Sequence, residues 1–138
     1  MNNTPNIILN GLDAPYTFQY VEREIPHLRA EYLEDQDDKG WIDYIAKNEG
    51  TPILGEIKYK SDQNPFYAFI QLITYLSEMA TENQIQRAIT HRLFGDAVAD
   101  ITSFDLHILL VNFNDRGEKG RLIEPTYELA NEFKVRLN

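Results

Sequence analysis

Residues 40–60, GWIDYIAKNEGTPILGEIKYK, decide the fold. Two short runs rich in Ile, Tyr and Trp, residues 41–47 and 52–60, flank Asn48-Glu49-Gly50, which reads as a turn between two strands. Successive side chains of a strand point to opposite sides, so Glu56 and Lys58 share one face while Ile57 and Tyr59 take the other. A hairpin then brings Asp43 beside them. Two carboxylates and an ammonium on one patch cost desolvation unless something binds there, and a hard divalent cation is what oxygen donors of this kind accept. The alternative for the same three residues is an exposed cross-strand ion pair of little energetic weight.

On the N-terminal side, Asp13 is placed to cap a helix with Pro15 in its first turn. Phe18, Val21 and Ile25 follow at helical spacing before Pro26, which predicts a helix over 13–25. HLRAEYLED, residues 27–35, reads as a strand, because a helix there would have to continue past Pro26 into a charged turn. On the C-terminal side, Asn64-Pro65 opens a helix in which Phe66, Phe69, Ile70, Ile73, Leu76 and Met79 recur every three or four residues. Ile85, Ala88, Ile89 and Leu93 carry a second helical period that Gly95 ends, and residues 96–103 show no period. LHILLVNF, residues 106–113, is an apolar run of the kind expected of a strand buried on both faces. After a turn at 114–120, Pro125 opens a last helix with Leu129, Ala130, Phe133 and Leu137 on its inner side. The order is helix, three strands, helix pair, strand, helix.

At 138 residues, with 43% hydrophobic and 12% aromatic content, the chain suits one α/β domain over 1–138. With no cysteine there is neither disulfide nor thiolate chemistry nor a sulfur-bound metal, so any chemistry comes from oxygen and nitrogen groups. No apolar run reaches the roughly 18 residues of a membrane span, and MNNTPNIILNGLDAP lacks the basic and apolar regions of a signal peptide. A cytoplasmic protein without membrane contact is the expectation. The net charge of −9 is uneven: residues 1–50 carry ten acids and four bases, residues 51–138 twelve and nine. Such a balance opposes binding of a polyanion. The densest acidic run, Glu34-Asp35-Gln36-Asp37-Asp38, reads as a solvated loop.

Asp43, Glu56-Ile57-Lys58 and, one helix later, Gln71-Leu-Ile-Thr-Tyr75 stand in an order that resembles the PD-(D/E)xK nuclease superfamily, with Gln71 and Tyr75 matching the QxxxY motif of its RecB-like branch. E-x-K by itself is a weak signal, whereas the three motifs in order, each on its own element, are far more specific. The resemblance covers most of residues 14–113. It implies a restriction-endonuclease-like αβββαβ core, with a mixed central sheet flanked by helices and, in this chain, a C-terminal helix. Ile42 stands before Asp43 where the family pattern has proline.

The resemblance implies a nuclease acting on DNA, with RNA left open. Asp43, Glu56 and the carbonyl of Ile57 would be ligands to Mg²⁺ or Mn²⁺, and Lys58 would orient the attacking water and offset transition-state charge. Gln71 and Tyr75, four residues apart on one helix face near Tyr67, Thr74 and Glu78, would flank the site; the alternative is a Tyr75 that packs in the core. On the expected first helix, Glu22 falls about 40° from Phe18 at 100° per residue and is the further candidate ligand, ahead of Glu24. Lys60, Arg87 and Arg92 are candidate substrate contacts, the last two in a segment, 84–94, that has no acid. His27, His91 and His107 lack metal-ligand spacing. The acidic balance suggests a basic protein partner or a homodimer. The rival expectation keeps the fold and drops catalysis: an inactive nuclease-fold module serving as a binding or regulatory subunit.

Overall fold

The computed structural model describes residues 6–9, 16–26, 41–59, 64–96, 98–114 and 116–137. The hairpin at the centre forms as its sequence predicts. Strands β3 (Trp41–Asn48) and β4 (Thr51–Tyr59) pair antiparallel, with Asn48 opposite Thr51 and Tyr44 opposite Gly55. Two residues close the turn, both in the left-handed region, Glu49 at φ 46° and Gly50 at φ 89°. That combination matches the twist of the flanking strands, and Gly50 adopts it without a Cβ penalty.

Upstream, the chain departs from expectation. Residues 16–26 are not the second half of a helix but strand β2 (Tyr16–Pro26), which lies antiparallel to β3 with a register shift between Tyr20 and Glu22. Phe18 and Val21 do both turn inward, as their spacing required. They do so into separate clusters, Phe18 with Tyr44 and Val21 against the cluster that holds Ile45 and Leu54, because the sheet carries apolar residues on both faces. Strand β1 (Asn6–Leu9), which had no counterpart in the sequence reading, pairs with β2 at the sheet edge. The strand expected at 27–35, the capping pair Asp13 and Pro15, and the acidic run at 34–38 lie outside the described residues.

Beyond β4 the predicted order holds. Helix α1 (Pro65–Met79) starts at Asn64, whose side chain accepts a 3.1 Å hydrogen bond from the Tyr67 amide, with proline in the first turn where a missing N–H costs nothing. Its buried stripe is Pro65, Ala68, Phe69, Leu72, Tyr75 and Met79; Phe66 and Ile70, expected inside, face outward. Helix α2 (Glu82–Thr90) follows, and β5 (Asp105–Val111) then joins β4 in parallel, which requires the long crossover that the two helices supply. The β5 strand is half-buried, not enclosed on both faces. A 3-10 turn at Glu118–Leu122 leads into α3 (Ile123–Leu137), which packs on α1 with Phe133 edge-on to Phe69, while Leu129 is exposed.

The described strands form a mixed five-stranded sheet in the order β1-β2-β3-β4-β5. On the α1 side Ile45, Leu54, Leu72, Tyr75, Met79, Ala88 and Phe94 make the larger core. On the other side Phe18, Tyr44, Ala46 and Ile53 make a second, and there the Tyr44 ring lies directly over Gly55, where an added Cβ would come within 2.0 Å of it. Glycine at 55 is what lets the ring seat flat on the neighbouring strand. No helix among the described residues is long and apolar enough to cross a membrane.

Candidate functional site

The alternation of β4 sets the site. Glu56 and Lys58 point beneath α1 and are 2% and 5% exposed, whereas Ile57 and Tyr59 face away at 41% and 48%. A charge pair this deep is costly to bury unless its members satisfy each other and find further hydrogen bonds. Lys58 Nζ donates to Glu56 Oε1 at 2.8 Å and to Gln71 Oε1 at 2.8 Å, and it lies 5.4 Å from the centroid of the Tyr67 ring. Gln71 Nε2 in turn donates to the Tyr75 hydroxyl at 3.4 Å. Helix geometry makes this possible: Tyr67, Gln71 and Tyr75 recur every four residues on one face, directly above the Lys58 stem.

Asp43 closes the group from β3. The recorded β3–β4 ladder ends at Tyr44 and Gly55, and past that point Asp43 Oδ2 accepts the Ile57 amide at 2.7 Å. The carboxylate thus stands where a ladder carbonyl would otherwise be. Its charge and that of Glu56 both reach Tyr75. Burial, then Glu56, push that phenol up to about 12, with Asp43 and Tyr67 adding and the Gln71 hydrogen bond opposing. Near neutral pH Tyr75 is therefore a neutral hydrogen-bonding group and no base. It is also a core residue, 3% exposed, as the packing alternative for its helical position expects.

The donor set suits a hard cation. Two carboxylates and the main-chain carbonyl of Ile57 are oxygen ligands of the kind Mg²⁺ and Mn²⁺ accept, and Mg²⁺ is commonly held by only one or two carboxylates plus substrate and water. An ionised carboxylate offers about four acceptor positions, so one hydrogen bond does not exhaust it. Glu22 is the further candidate ligand. It lies on β2 opposite Ile45, exposed, and on a strand where the sequence predicted a helix. Among the described residues no three acidic or imidazole side chains converge.

Two of the three cationic candidates lie among the described residues. Lys60 lies outside the described residues. Arg87 is half-buried in the last turn of α2, and Arg92, just past that helix at φ 52°, pairs with Asp96 at 2.8 Å in a contact where both side chains are more than 70% exposed. Sequence reasoning placed Tyr67 near the Gln71 face without giving it a role. Its four-residue offset from Gln71 was the signal. On the opposite face the Tyr16 hydroxyl and His107 Nε2 share a 3.3 Å hydrogen bond, and burial lowers the basicity of His107 while Asp105 opposes.

No protein-family model matches this chain, no curated protein matches it, and no solved structure matches its fold.

Proposed function

We propose that the protein is a metal-dependent nuclease of the PD-(D/E)xK type, in its RecB-like branch, that hydrolyses phosphodiester bonds in DNA with a metal-activated water. The observation that supports this most is the hydrogen-bonded chain from Glu56 through Lys58 and Gln71 to Tyr75, drawn from β4 and the following helix, with Asp43 of the neighbouring strand accepting the Ile57 amide between Glu56 and Lys58. An antiparallel β2-β3-β4 followed by a helical crossover to a parallel β5 supports the βββαβ part of the expected core, with β2 lying at 16–26 where the opening helix was expected.

Asp43, Glu56 and the Ile57 carbonyl would hold the cation. When bound, Mg²⁺ or Mn²⁺ supplies charge neutralisation at the phosphate and a more acidic water. Lys58, fixed by Glu56 and Gln71, presents its ammonium to the anionic phosphate and orients the nucleophile; its contribution is electrostatic. Gln71 locks the lysine rotamer, and Tyr75 anchors the amide from the core side. Neither adds charge. The test is incubation of single-stranded, double-stranded and branched DNA with Mn²⁺, comparing wild type with Lys58→Ala. Removal of one preorganised electrostatic group is expected to slow cleavage by about 10²- to 10³-fold. Equal cleavage by both proteins overturns the proposal.

One feature favours a second reading, an inactive module acting as a binding or regulatory subunit. Lys58 neutralises Glu56 within the fold at 2.8 Å without any ion, in a chain of net charge −9 that disfavours nucleic acid. A melting temperature indifferent to Mg²⁺ and Mn²⁺ is the outcome that selects this reading.

A further inference from the structure

Helix α1 leaves three large apolar side chains in the open within its first two turns, Phe66 at 43%, Tyr67 at 54% and Ile70 at 42% exposure. Positions 66, 67 and 70 are neighbours on a helix surface, so these side chains form one patch. It is continuous with the candidate site, because the Tyr67 ring that borders the patch also covers the Lys58 ammonium at 5.4 Å from its centroid. Contiguous exposed apolar patches rimmed by polar residues mark interaction surfaces.

The charge of the chain narrows what that ligand can be. A protein that grips a duplex by its backbone does so with several lysines and arginines, each displacing a counterion. In this protein the net charge is −9, Lys58 is bonded to Glu56, and Arg92 is paired with Asp96. A chain of this net charge gains from uncharged contacts with a nucleic acid, and stacking of a base on an aromatic ring is a strong one. A paired, stacked base offers no free face to such a ring. An unpaired one does.

We propose that Tyr67 is a specificity residue on which an unpaired nucleobase stacks, so that the substrate is single-stranded nucleic acid whose adjoining phosphate meets Lys58. Phe66 and Ile70 extend the platform to the next base. This inference rests on the nuclease reading for its choice of ligand, and its test needs no cleavage. A single-stranded oligonucleotide of about 12 nucleotides carrying 2-aminopurine is titrated in Ca²⁺ against wild type, Tyr67→Phe and Tyr67→Ala, with the matching duplex as comparison. Wild type and Tyr67→Phe are expected to change the 2-aminopurine fluorescence on binding and to prefer the single strand at least tenfold. Tyr67→Ala is expected to bind about 5- to 150-fold more weakly and to lose the fluorescence change.

Equal affinity for strand and duplex, no binding of the strand by wild type, or a fluorescence change that persists in Tyr67→Ala would each overturn the inference. Circular dichroism melts of the three proteins accompany the titration. Because Tyr67 is half exposed, Tyr67→Ala is expected to stay folded at the assay temperature, and Tyr67→Phe reports on the ring if it does not. The two proposals fail separately. Strand binding through Tyr67 with no cleavage in Mn²⁺ sinks the nuclease reading alone, while duplex cleavage indifferent to Tyr67→Ala sinks this one alone.

Discussion

Replacing Lys58 by methionine is expected to destabilise the metal-free protein by about 3–5 kcal/mol, because it strands a buried carboxylate. The magnitude follows from the burial of the pair. Both side chains are almost wholly enclosed, with 6% and 3% of their surface exposed, and the contact is 2.8 Å. With charge centres about 4 Å apart and an effective interior dielectric of about 20, the lost attraction is about 4 kcal/mol. Methionine fills similar volume, so little of the loss comes from a cavity. Replacing both partners, as in Glu56→Leu with Lys58→Met, removes the desolvation cost of two ions along with their attraction and is expected to return stability to within about 1 kcal/mol of wild type. The assay is urea unfolding at neutral pH in EDTA for wild type, both single variants and the pair, read as a double-mutant cycle. A Lys58→Met protein within about 1 kcal/mol of wild type would refute the reasoning, since the pair would then behave as a screened surface contact. A pair that matches wild-type stability while single variants do not implies that the charges are retained for what they do.

Gly55→Ala is expected to cost about 1–3 kcal/mol or more, because the new Cβ meets the Tyr44 ring at 2.0 Å and that ring is held by Phe18; in a Tyr44→Ala background the same change should cost much less in urea midpoint. Asp43→Asn keeps an oxygen for the Ile57 amide but loses a charge. Wild type should gain about 2.7 kcal/mol at Mg²⁺ 100-fold above its Kd, and the variant should lose that gain in a melting series. His107 is less basic folded than unfolded, so the folded protein favours its neutral form. Stability from this group is fully present above the unfolded value of about 6.5 and falls as pH drops below it, and His107→Leu should flatten the urea-midpoint profile between pH 7.5 and 5.

The region from Asp43 to Thr90 was legible in the sequence because each signal there is local. The 41–47 and 52–60 runs carry β-formers on both sides of a turn with Gly50, and Asn64-Pro65 marks the helix start by chemistry that needs no tertiary context. That Glu56 and Lys58 share one face followed from period-two alternation alone, whereas their burial depends on α1 covering that face. Residues 16–26 misled for a physical reason. A strand with core on both faces buries residues of both parities, so Phe18 and Val21 imitate a helical three-residue spacing. The corrective signal was Tyr16, Phe18 and Tyr20, aromatic residues at strand spacing that all join the second cluster. Glu22 was assigned to a helix by the same error. Phe66 and Ile70 were placed inward because periodicity identifies a stripe but not its phase, and the phase is fixed by Leu72 and Tyr75 meeting β3 and β4.

The two-residue turn at Glu49-Gly50 bears on how the site comes into being. With so short a link, β3 and β4 zip from their closed end, and α1 follows directly in the chain, so every group from Asp43 to Tyr75 is recruited from adjacent segments. Closing such short loops is fast compared with docking a distant strand. The group from Asp43 to Tyr75 thus depends on short-range chain closure, and β5 is the one described strand of the sheet beside it that must arrive over a long crossover.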